Sequence, residues 1–417
     1  MSELLRRHCV RSVGLCGLVA LALHASPSAS SSYKVIHTFA GLNMGDGDTP
    51  IPELVVDSSG RLYGTTQYGG QFGYGTIFRL TKPAKGSKVW TEEILYSFGQ
   101  DEGNDPKGGV LIGPSGELYG TTSIGGANGG GTVYRLDAGG TLTTLHAFNP
   151  QNDDGFGSIA GLVFGADGLL YGTTTSGADP NAGTAFSVSP QGDGVEYAII
   201  HNFGTGSDGI VPYFGRLAAN KKGDLFGTTM AGGTNANGIV FQLTPPGKTG
   251  WKEAIPHNFG ATGSGDAASP YQGVVLGKGG VVYGCAAGST NDQGAVYALT
   301  PPPKGSKTWS EQVLYIFGDQ LNDPDVTECA VAVDPSGRLF GTASGGGVYG
   351  WGAFFELDPP ANGQTNWTET VLHSFGPQSS SDGLRPVSGP VRSGKYYYGV
   401  TYFGGANGIG TVYEIKP

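Results

Sequence analysis

Seven acidic residues recur at one repeat position, and carboxylates are the side chains with which proteins bind Ca²⁺. Each is usually followed by Gly and, four residues later, by Pro or Ser. They are Asp46, Glu102, Asp154, Asp208, Asp266, Asp323 and Asp382. Two interpretations stay open: an Asx-type turn used seven times, or a ring of carboxylates that binds Ca²⁺ or another cation. No other cofactor is expected.

A denser group of acids in the sixth copy is the best candidate for a metal site. It comprises Asp319, Asp323, Asp325 and Glu328. Their spacing matches no EF-hand loop, so the prediction rests on local crowding alone.

Aromatic residues break the symmetry of the glycine-rich loop that follows each LYGTT-like run. Copies two to five of this loop have none, whereas copies six, seven and one carry Tyr349, Trp351, Tyr402, Phe403, Tyr68, Phe72 and Tyr74. Aromatic faces beside carboxylates suit stacking on sugar rings and hydrogen bonding to their hydroxyls. The predicted ligand-binding residues are therefore Trp351, Tyr349, Tyr402, Tyr74, Phe72, Asp323, Asp382 and Asp46. The alternative is that Tyr68 and Phe403 pack between repeats and the others cover loop glycines.

The five histidines beyond residue 30 all occupy one repeat position, with Tyr96 and Tyr315 in the two remaining copies. They are His37, His146, His201, His257 and His373. Such periodicity favours a structural role over catalysis, and no catalytic residue is assigned.

The elements that position these residues follow from a repeat. An aromatic-Gly pair recurs at Tyr63, Tyr119, Tyr171, Phe226, Tyr283, Phe340 and Tyr398, at separations of 52 to 58 residues. Each unit contains four apolar runs separated by Gly-rich or Pro-rich turns, which predicts one four-stranded propeller blade per unit. Four tryptophans that precede the fourth run are expected to pack at the opposite rim.

The two ends of the chain predict how the array closes. The last copy stops after its third strand, GTVYEIKP, while Lys34–Phe39 reads as a lone fourth strand. Pairing these two strands would remove the exposed edges of an open array. The expected fold is an all-β, seven-bladed propeller over residues 31–417 in which the N-terminal strand completes the last blade. The loops after LYGTT and the crossovers that carry the acids should emerge on one face.

The repeat D-x-x-G-x-L-Y-G-T-T-x-x-G-G-x-x-G-x-G-T-V-[FY]-x-L resembles the GloVer tandem repeat of secreted bacterial proteins. The resemblance covers all seven copies. It implies export and a propeller-like fold, and it supplies no catalytic residues.

Residues 1–30 are typical of a secretory signal peptide, with three arginines, an apolar run and a small-residue tract. Without them the chain has 21 Lys+Arg against 33 Asp+Glu, which disfavours nucleic acid and anionic membranes as partners. A secreted or periplasmic monomer with no integral membrane segment is expected. Cys285 and Cys329 remain, and either a disulfide between adjacent blades or two buried thiols fits their positions.

Three functions are compatible with this pattern. The favoured one is a secreted binding module for a glycan or cell-envelope protein on the acid-bearing face. A polysaccharide lyase or hydrolase is the alternative, supported by fold analogy alone. The third is a purely structural envelope component.

Overall fold

The regular structure is almost entirely β, as the β-branched and aromatic runs between glycine-rich turns predict. A computed structural model describes residues 31–417 apart from 52, 179, 192–196, 205–206, 248–249, 261–266, 289–293, 319–321, 362–363 and 378. Ser31–Pro417 form one compact unit. Helix in the described residues is limited to two 3₁₀ turns, Leu42–Met44 and Lys278–Gly280, and none of it is long enough to cross a membrane.

Thirty-four strands make up the described part of the fold. In chain order they are β1 Ser32–Thr38, β2 Gly47–Pro50, β3 Val55–Val56, β4 Leu62–Gly69, β5 Thr76–Thr81, β6 Thr91–Ser97, β7 Val110–Ile112, β8 Leu118–Thr122, β9 Thr132–Leu136, β10 Leu142–Ala147, β11 Gly155–Phe156, β12 Val163–Phe164, β13 Leu170–Thr174, β14 Ser176–Gly177, β15 Thr184–Val188, β16 Ala198–Asn202, β17 Gly209–Ile210, β18 Ala218–Ala219, β19 Leu225–Thr229, β20 Ala231–Gly232, β21 Ile239–Gly247, β22 Gly250–Asn258, β23 Val275–Leu276, β24 Val282–Ala286, β25 Ala295–Thr300, β26 Ser310–Ile316, β27 Pro324–Val333, β28 Leu339–Gly346, β29 Ala353–Asp358, β30 Thr368–Ser374, β31 Gly383–Pro386, β32 Val391–Ser393, β33 Tyr396–Gly404 and β34 Thr411–Lys416.

These strands form seven antiparallel blades around one axis, so the predicted seven-bladed propeller is confirmed. Blade 1 contains β2–β6, blade 2 β7–β10, blade 3 β11–β16, blade 4 β17–β22, blade 5 β23–β26, blade 6 β27–β30 and blade 7 β31–β34 with β1. Within a blade the main strands run in simple up-and-down order, as in β7–β8–β9–β10. The last strand of each blade is called its outer strand below.

The ring closes as the chain ends predict. Strand β1 pairs antiparallel with β34, with Ser32 opposite Lys416 and Thr38 opposite Thr411. The N-terminal strand is thus the outer strand of blade 7. Strand β1 therefore covers β34 and takes the outer position that the last strand occupies in every other blade.

The glycine after each repeated aromatic residue makes room for a ring from the neighbouring strand. In blade 1 a Cβ on Gly64 would lie 2.7 Å from Cζ of Phe78 and 2.8 Å from Cδ2 of Leu54. Carbon atoms in contact stay about 3.5–4.0 Å apart, so only glycine fits. The corresponding glycines of the other six blades each face a Phe or Tyr ring in the same way.

The paired threonines of LYGTT join strands within a blade and also join one blade to the next. The Thr66 hydroxyl lies 2.8 Å from that of Thr76 on the adjacent strand, while Thr65 donates to the Pro106 carbonyl of blade 2 at 2.8 Å. In blade 5 Cys285 replaces the first Thr, and it forms a disulfide with Cys329 of blade 6. An interblade hydrogen bond is thereby replaced by a covalent bond.

Tryptophans from one blade cover aromatic residues of the preceding blade at the rim opposite the crossovers. Trp90 of blade 1 packs edge-on against Tyr398 of blade 7, with ring centroids 5.8 Å apart. Trp251 on Tyr171 and Trp309 on Phe226 repeat this contact. Packing, as expected, accounts for these side chains.

Candidate functional site

The crossovers and the glycine-rich loops share one face of the propeller, which we call the top face. Gly47 in the crossover into blade 1 pairs with Gly69 at the start of the loop. Gly383 and Gly404 form the same pair in blade 7. The predicted side-by-side arrangement of acids and loop aromatics is therefore present.

The repeated acids hold the crossovers in shape. Both carboxylate oxygens of Asp46 accept backbone N–H groups, from Ala40 at 2.7 Å and from Gly47 at 2.5 Å. Asp208 and Asp382 accept the equivalent pairs of N–H groups. These bonds stabilise the turns of the crossovers, which is the role that the Asx-turn interpretation gives to the acids. Ligand binding by Asp46 and Asp382 stays a prediction.

Three acids of the sixth copy, Asp323, Asp325 and Glu328, lie in different surroundings. Asp323 is buried and accepts the Gly318 N–H at 2.7 Å, Asp325 is exposed, and Glu328 faces the propeller axis. Within the described residues these three do not meet as a group of close carboxylates. Asp319 lies outside the described residues, and Ca²⁺ binding here stays a prediction.

The loop aromatics of blades 6, 7 and 1 are exposed together, and we call them the aromatic arc. The exposed fraction is 55% for Phe72, 44% for Trp351 and 38% for Phe403. Tyr349, Tyr68 and Tyr74 are also exposed, while Tyr402 is half-buried. Solvent exposure of large rings on one face is a feature of binding surfaces.

A pocket of about 350 Å³ occupies the axis at the top face, and residues of all seven blades line it. Its lining is Ile51, Glu53, Gln67, Lys107, Gly108, Gly161, Tyr213, Phe214, Arg216, Gln272, Glu328, Arg385, Val387, Ser388, Tyr402 and Phe403. This volume lies within the range of small-ligand sites. We call it the axial pocket.

Three cationic side chains and two acids converge on the axial pocket, although acids outnumber bases in the chain as a whole. Lys107 pairs with Asp105 at 2.7 Å, and an Arg385 nitrogen lies 3.8 Å from Glu328. Burial raises the pKa of Glu328, and the neighbouring guanidinium opposes this rise. The site thus offers both charged donors and carboxylate acceptors.

Arg216 is the most constrained of the three cations. One terminal nitrogen donates to the Val110 carbonyl at 3.1 Å, and Nε lies 4.0 Å from a carboxylate oxygen of Glu53. Among the described residues, that buried Nε finds no hydrogen-bond acceptor. A bound ligand with an acceptor group would satisfy it.

The backbone that leads into the axial pocket is held in an unusual conformation. The residue three positions after the repeated acid has φ between 52° and 59° in five blades although it is not glycine: Thr49, Asp105, Val211, Ser269 and Arg385. Left-handed conformations are rare for β-branched residues and cluster at functional sites. In each of these five crossovers a pocket-lining residue follows within three positions, and Arg385 itself lines the pocket.

Comparison with known proteins identifies the repeat. The model of the Gloeobacter/Verrucomicrobia repeat matches residues 23–155, 86–287 and 270–417. The chain belongs to this family. No curated protein sequence matches this family member.

Among solved structures, the repeat protein is similar to a putative oxidoreductase (glucose dehydrogenase) from Thermus thermophilus. The identity is 18%, the match covers 75% of this chain and 94% of the other, and the TM-score is 0.40. At this level the likeness supports no inference about activity.

The axial pocket and the aromatic arc of this repeat protein are continuous. Phe403 lines the pocket and, together with Trp351, also lines a shallow depression beside it. Tyr402 lies on the pocket side, with the Arg385 guanidinium 6.0 Å from its ring centroid. Of the eight predicted ligand residues, Tyr402 alone lines the pocket.

The aligned acids and the loop aromatics, which were the sequence patterns used to predict a site, do not indicate the pocket. The position five residues after each acid carries the missed signal. It is occupied by Ile51, Lys107, Ile159, Tyr213, Tyr271, Glu328 and Val387. Five of these seven line the pocket. A position that varies in charge and polarity among otherwise similar repeats is not explained by the packing that the repeats share.

Proposed function

We propose that this protein is a secreted glycan-binding module that holds the end of a saccharide in the axial pocket. The observation that carries the proposal is the continuity of the pocket with the aromatic arc through Phe403. A saccharide chain entering the pocket passes over exposed aromatic rings, which supply apolar contact to sugar faces.

The polar groups of the pocket support a polyhydroxylated ligand. Lys107, Arg216 and Arg385 donate hydrogen bonds, whereas Glu53 and Glu328 accept them. Gln67 and Gln272 can do both. Because three of these groups are cationic, saccharides that bear a carboxylate should bind more tightly than neutral ones.

The position of the pocket at the axis suggests how the glycan would bind. The pocket of about 350 Å³ is bounded by all seven blades, so it suits a chain end rather than the middle of a long chain. Trp351 lines the adjoining depression and would contact the next sugar of the chain. Asp46, Asp323 and Asp382 keep the crossovers in position around this site. We also propose that they contact sugar residues that lie outside the pocket.

A glycan array followed by calorimetry tests the proposal. The wild-type protein should bind a subset of oligosaccharides, and Arg385→Ala and Trp351→Ala should each weaken that binding by at least about tenfold, equivalent to about 1.4 kcal/mol. Ile124→Ala is the matched control, because Ile124 is 52% exposed in the loop of blade 2 and lines neither pocket nor arc. It should bind like the wild type.

Two results would contradict the proposal. Absence of binding across neutral and acidic glycans would remove it. Equal binding by the wild-type protein and both pocket variants would place any glycan elsewhere. Incubation with polysaccharides, with measurement of new reducing or unsaturated ends, tests the lyase or hydrolase alternative directly.

A further inference from the structure

The boundaries between blades carry a second set of mostly polar residues, away from the axial pocket. Three repeat positions meet there: the His or Tyr near the end of one outer strand, the acid of the following crossover, and the residue four positions before the His or Tyr of the next outer strand. We call each set a boundary cluster. In the described residues the complete clusters are His37, Asp46 and Glu92; Tyr96, Glu102 and Leu142; His146, Asp154 and Tyr197; His201, Asp208 and Glu253; Tyr315, Asp323 and Glu369; and His373, Asp382 and Tyr33.

Two of these clusters combine one imidazole with two carboxylates. Between blades 7 and 1, His37 Nε2 lies 3.8 Å from Asp46 and 3.3 Å from Glu92. Between blades 3 and 4, His201 Nε2 lies 3.0 Å from Asp208 and 3.6 Å from Glu253. In each cluster the three potential ligand atoms lie within 4.8 Å of one another.

We propose that these two boundary clusters are binding sites for a divalent transition-metal ion of the Zn²⁺ class. Zn²⁺ binds imidazole nitrogen and carboxylate oxygen at about 2.0–2.2 Å, so tetrahedral ligands lie about 3.4 Å apart. The imidazole–carboxylate separations of 3.0–3.8 Å bracket that value, and side-chain adjustments would bring all three atoms onto one ion. Three protein ligands and one water complete the coordination.

The Asp ligand in each cluster is already oriented by the backbone. Asp46 accepts the Ala40 and Gly47 N–H groups, and Asp208 accepts those of Gly204 and Gly209. Hydrogen bonds of this kind orient ligands in metal sites. The imidazoles are also fixed, since the His37 ring packs edge-on against Phe39 with centroids 4.6 Å apart.

The imidazole and glutamate ligand atoms are less well satisfied by the surrounding protein than the Asp ligands. His37 Nε2, Glu92 Oε1 and Glu253 Oε1 are buried, and their contacts with described residues are ion pairs without good hydrogen-bond geometry. A divalent cation would relieve the repulsion between paired carboxylates. The side chains are 5–19% exposed, so an ion can reach them from solvent.

In two other boundary clusters a tyrosine occupies the position of Glu92 and Glu253. At the boundary between blades 2 and 3, Tyr197 stacks on His146 with ring centroids 3.7 Å apart. Tyr33 stacks on His373 at 3.5 Å between blades 6 and 7. The tyrosine ring takes the place of the glutamate, and the blades still pack. Glutamate at this position is therefore not required by the blade interface.

The proposed ions would join outer strands of neighbouring blades. At the first site His37 belongs to β1, the strand that closes the ring, and Glu92 belongs to β6 of blade 1. An ion bound there links the N-terminal strand to the next blade. The disulfide between blades 5 and 6 is a covalent link of the same kind.

Zn²⁺ titration of chelator-treated full-length protein tests the proposal. Isothermal calorimetry at neutral pH should show at least two bound ions per chain, and Co²⁺ should give the visible absorption of a site with nitrogen and oxygen ligands. Glu92→Tyr and Glu253→Tyr convert each cluster to the tyrosine type that the chain already uses twice. Each substitution should remove one ion, and the double variant should lose two. Ions bound elsewhere are common to all variants and cancel in the comparison.

Glu92→Gln and Glu253→Gln provide a second route if a tyrosine variant fails to fold, because they keep the side-chain shape and remove only the charge. Tyr197→Phe is the control and should leave the stoichiometry unchanged. Saturating Zn²⁺ should raise the thermal midpoint of the wild-type protein more than that of the double variant. An unchanged stoichiometry in both glutamate variants, or absence of Zn²⁺ binding by the wild-type protein, would overturn the proposal. Neither result bears on glycan binding at the axial pocket.

Discussion

Glu369 couples the stability of the propeller to pH. It lies on β30 of blade 6 in the boundary cluster with Asp323, and its buried Oε1 atom has no hydrogen-bond partner in the part of the chain that the structure describes. Burial, together with repulsion from the Asp323 carboxylate, raises its pKa from 4.5 to about 8. The folded protein therefore keeps this carboxyl protonated under conditions where the unfolded chain ionises it.

The sign and size of the effect follow from linkage. The stability that the protonated form provides is complete below pH 4.5 and is lost as pH rises through about 8. Each pKa unit corresponds to about 1.4 kcal/mol, which sets an upper limit of about 5 kcal/mol for the whole interval. The side chain is only partly shielded from solvent, and screening reduces the expected effect to about 2 kcal/mol.

Replacing Glu369 with Gln removes the ionisation and keeps the shape. The substitution should have a small effect on the free energy of unfolding at about pH 5 and should stabilise the protein by about 2 kcal/mol more at about pH 9. Urea unfolding at the two pH values measures this difference. Asp325→Asn is the control, because Asp325 lies in the same blade and is exposed. An equal effect of Glu369→Gln at both pH values would refute the reasoning.

Three further substitutions test interblade packing, each by the urea midpoint at neutral pH. Cys329→Ser breaks the disulfide that closes a 44-residue separation and should lower the unfolding free energy by about 3 kcal/mol; a change below about 1 kcal/mol would mean that the two blades hold together without it. Trp90→Ala removes a 7% exposed ring from Tyr398 and should lower it by about 3 kcal/mol. Gly75→Ala should destabilise by more than about 1 kcal/mol, since φ is 101° and the new Cβ would lie 2.5 Å from the Thr66 carbonyl oxygen; a neutral result would show that the loop can shift.

The fold can be predicted from the sequence because the same pattern of strands and turns recurs seven times. Periodic strands and turns predict blades, and the unpaired strand at each end predicts ring closure, which β1 and β34 confirm. The shared face of acids and loops followed from strand parity alone. Each of these inferences needs only the alternation of strands and turns, without any knowledge of side-chain contacts.

What the sequence could not supply was the partner of each side chain. The aligned acids suggested a cation site as readily as a turn, because the backbone N–H groups that Asp46 and Asp382 accept have no sequence signature. The boundary clusters are equally hidden, since His201 and Glu253 lie 52 residues apart in the sequence and meet only when two blades pack. The repeat shows that the LYGTT glycine recurs, but only the structure shows that the ring of Phe78 requires Gly64.

Comparing the seven copies within the chain nevertheless shows which positions are constrained, without any alignment of homologous proteins. Positions that build a blade carry nearly the same residue in every copy, as the LYGTT glycine does. The residue five positions after each acid departs from this uniformity, with Lys107, Tyr213 and Glu328 in three copies and aliphatic side chains in others. Packing common to seven equivalent blades cannot demand side chains of such different charge and size at one position. Five of these seven side chains line the axial pocket, so a position that shared packing does not explain faces a cavity lined by all seven blades.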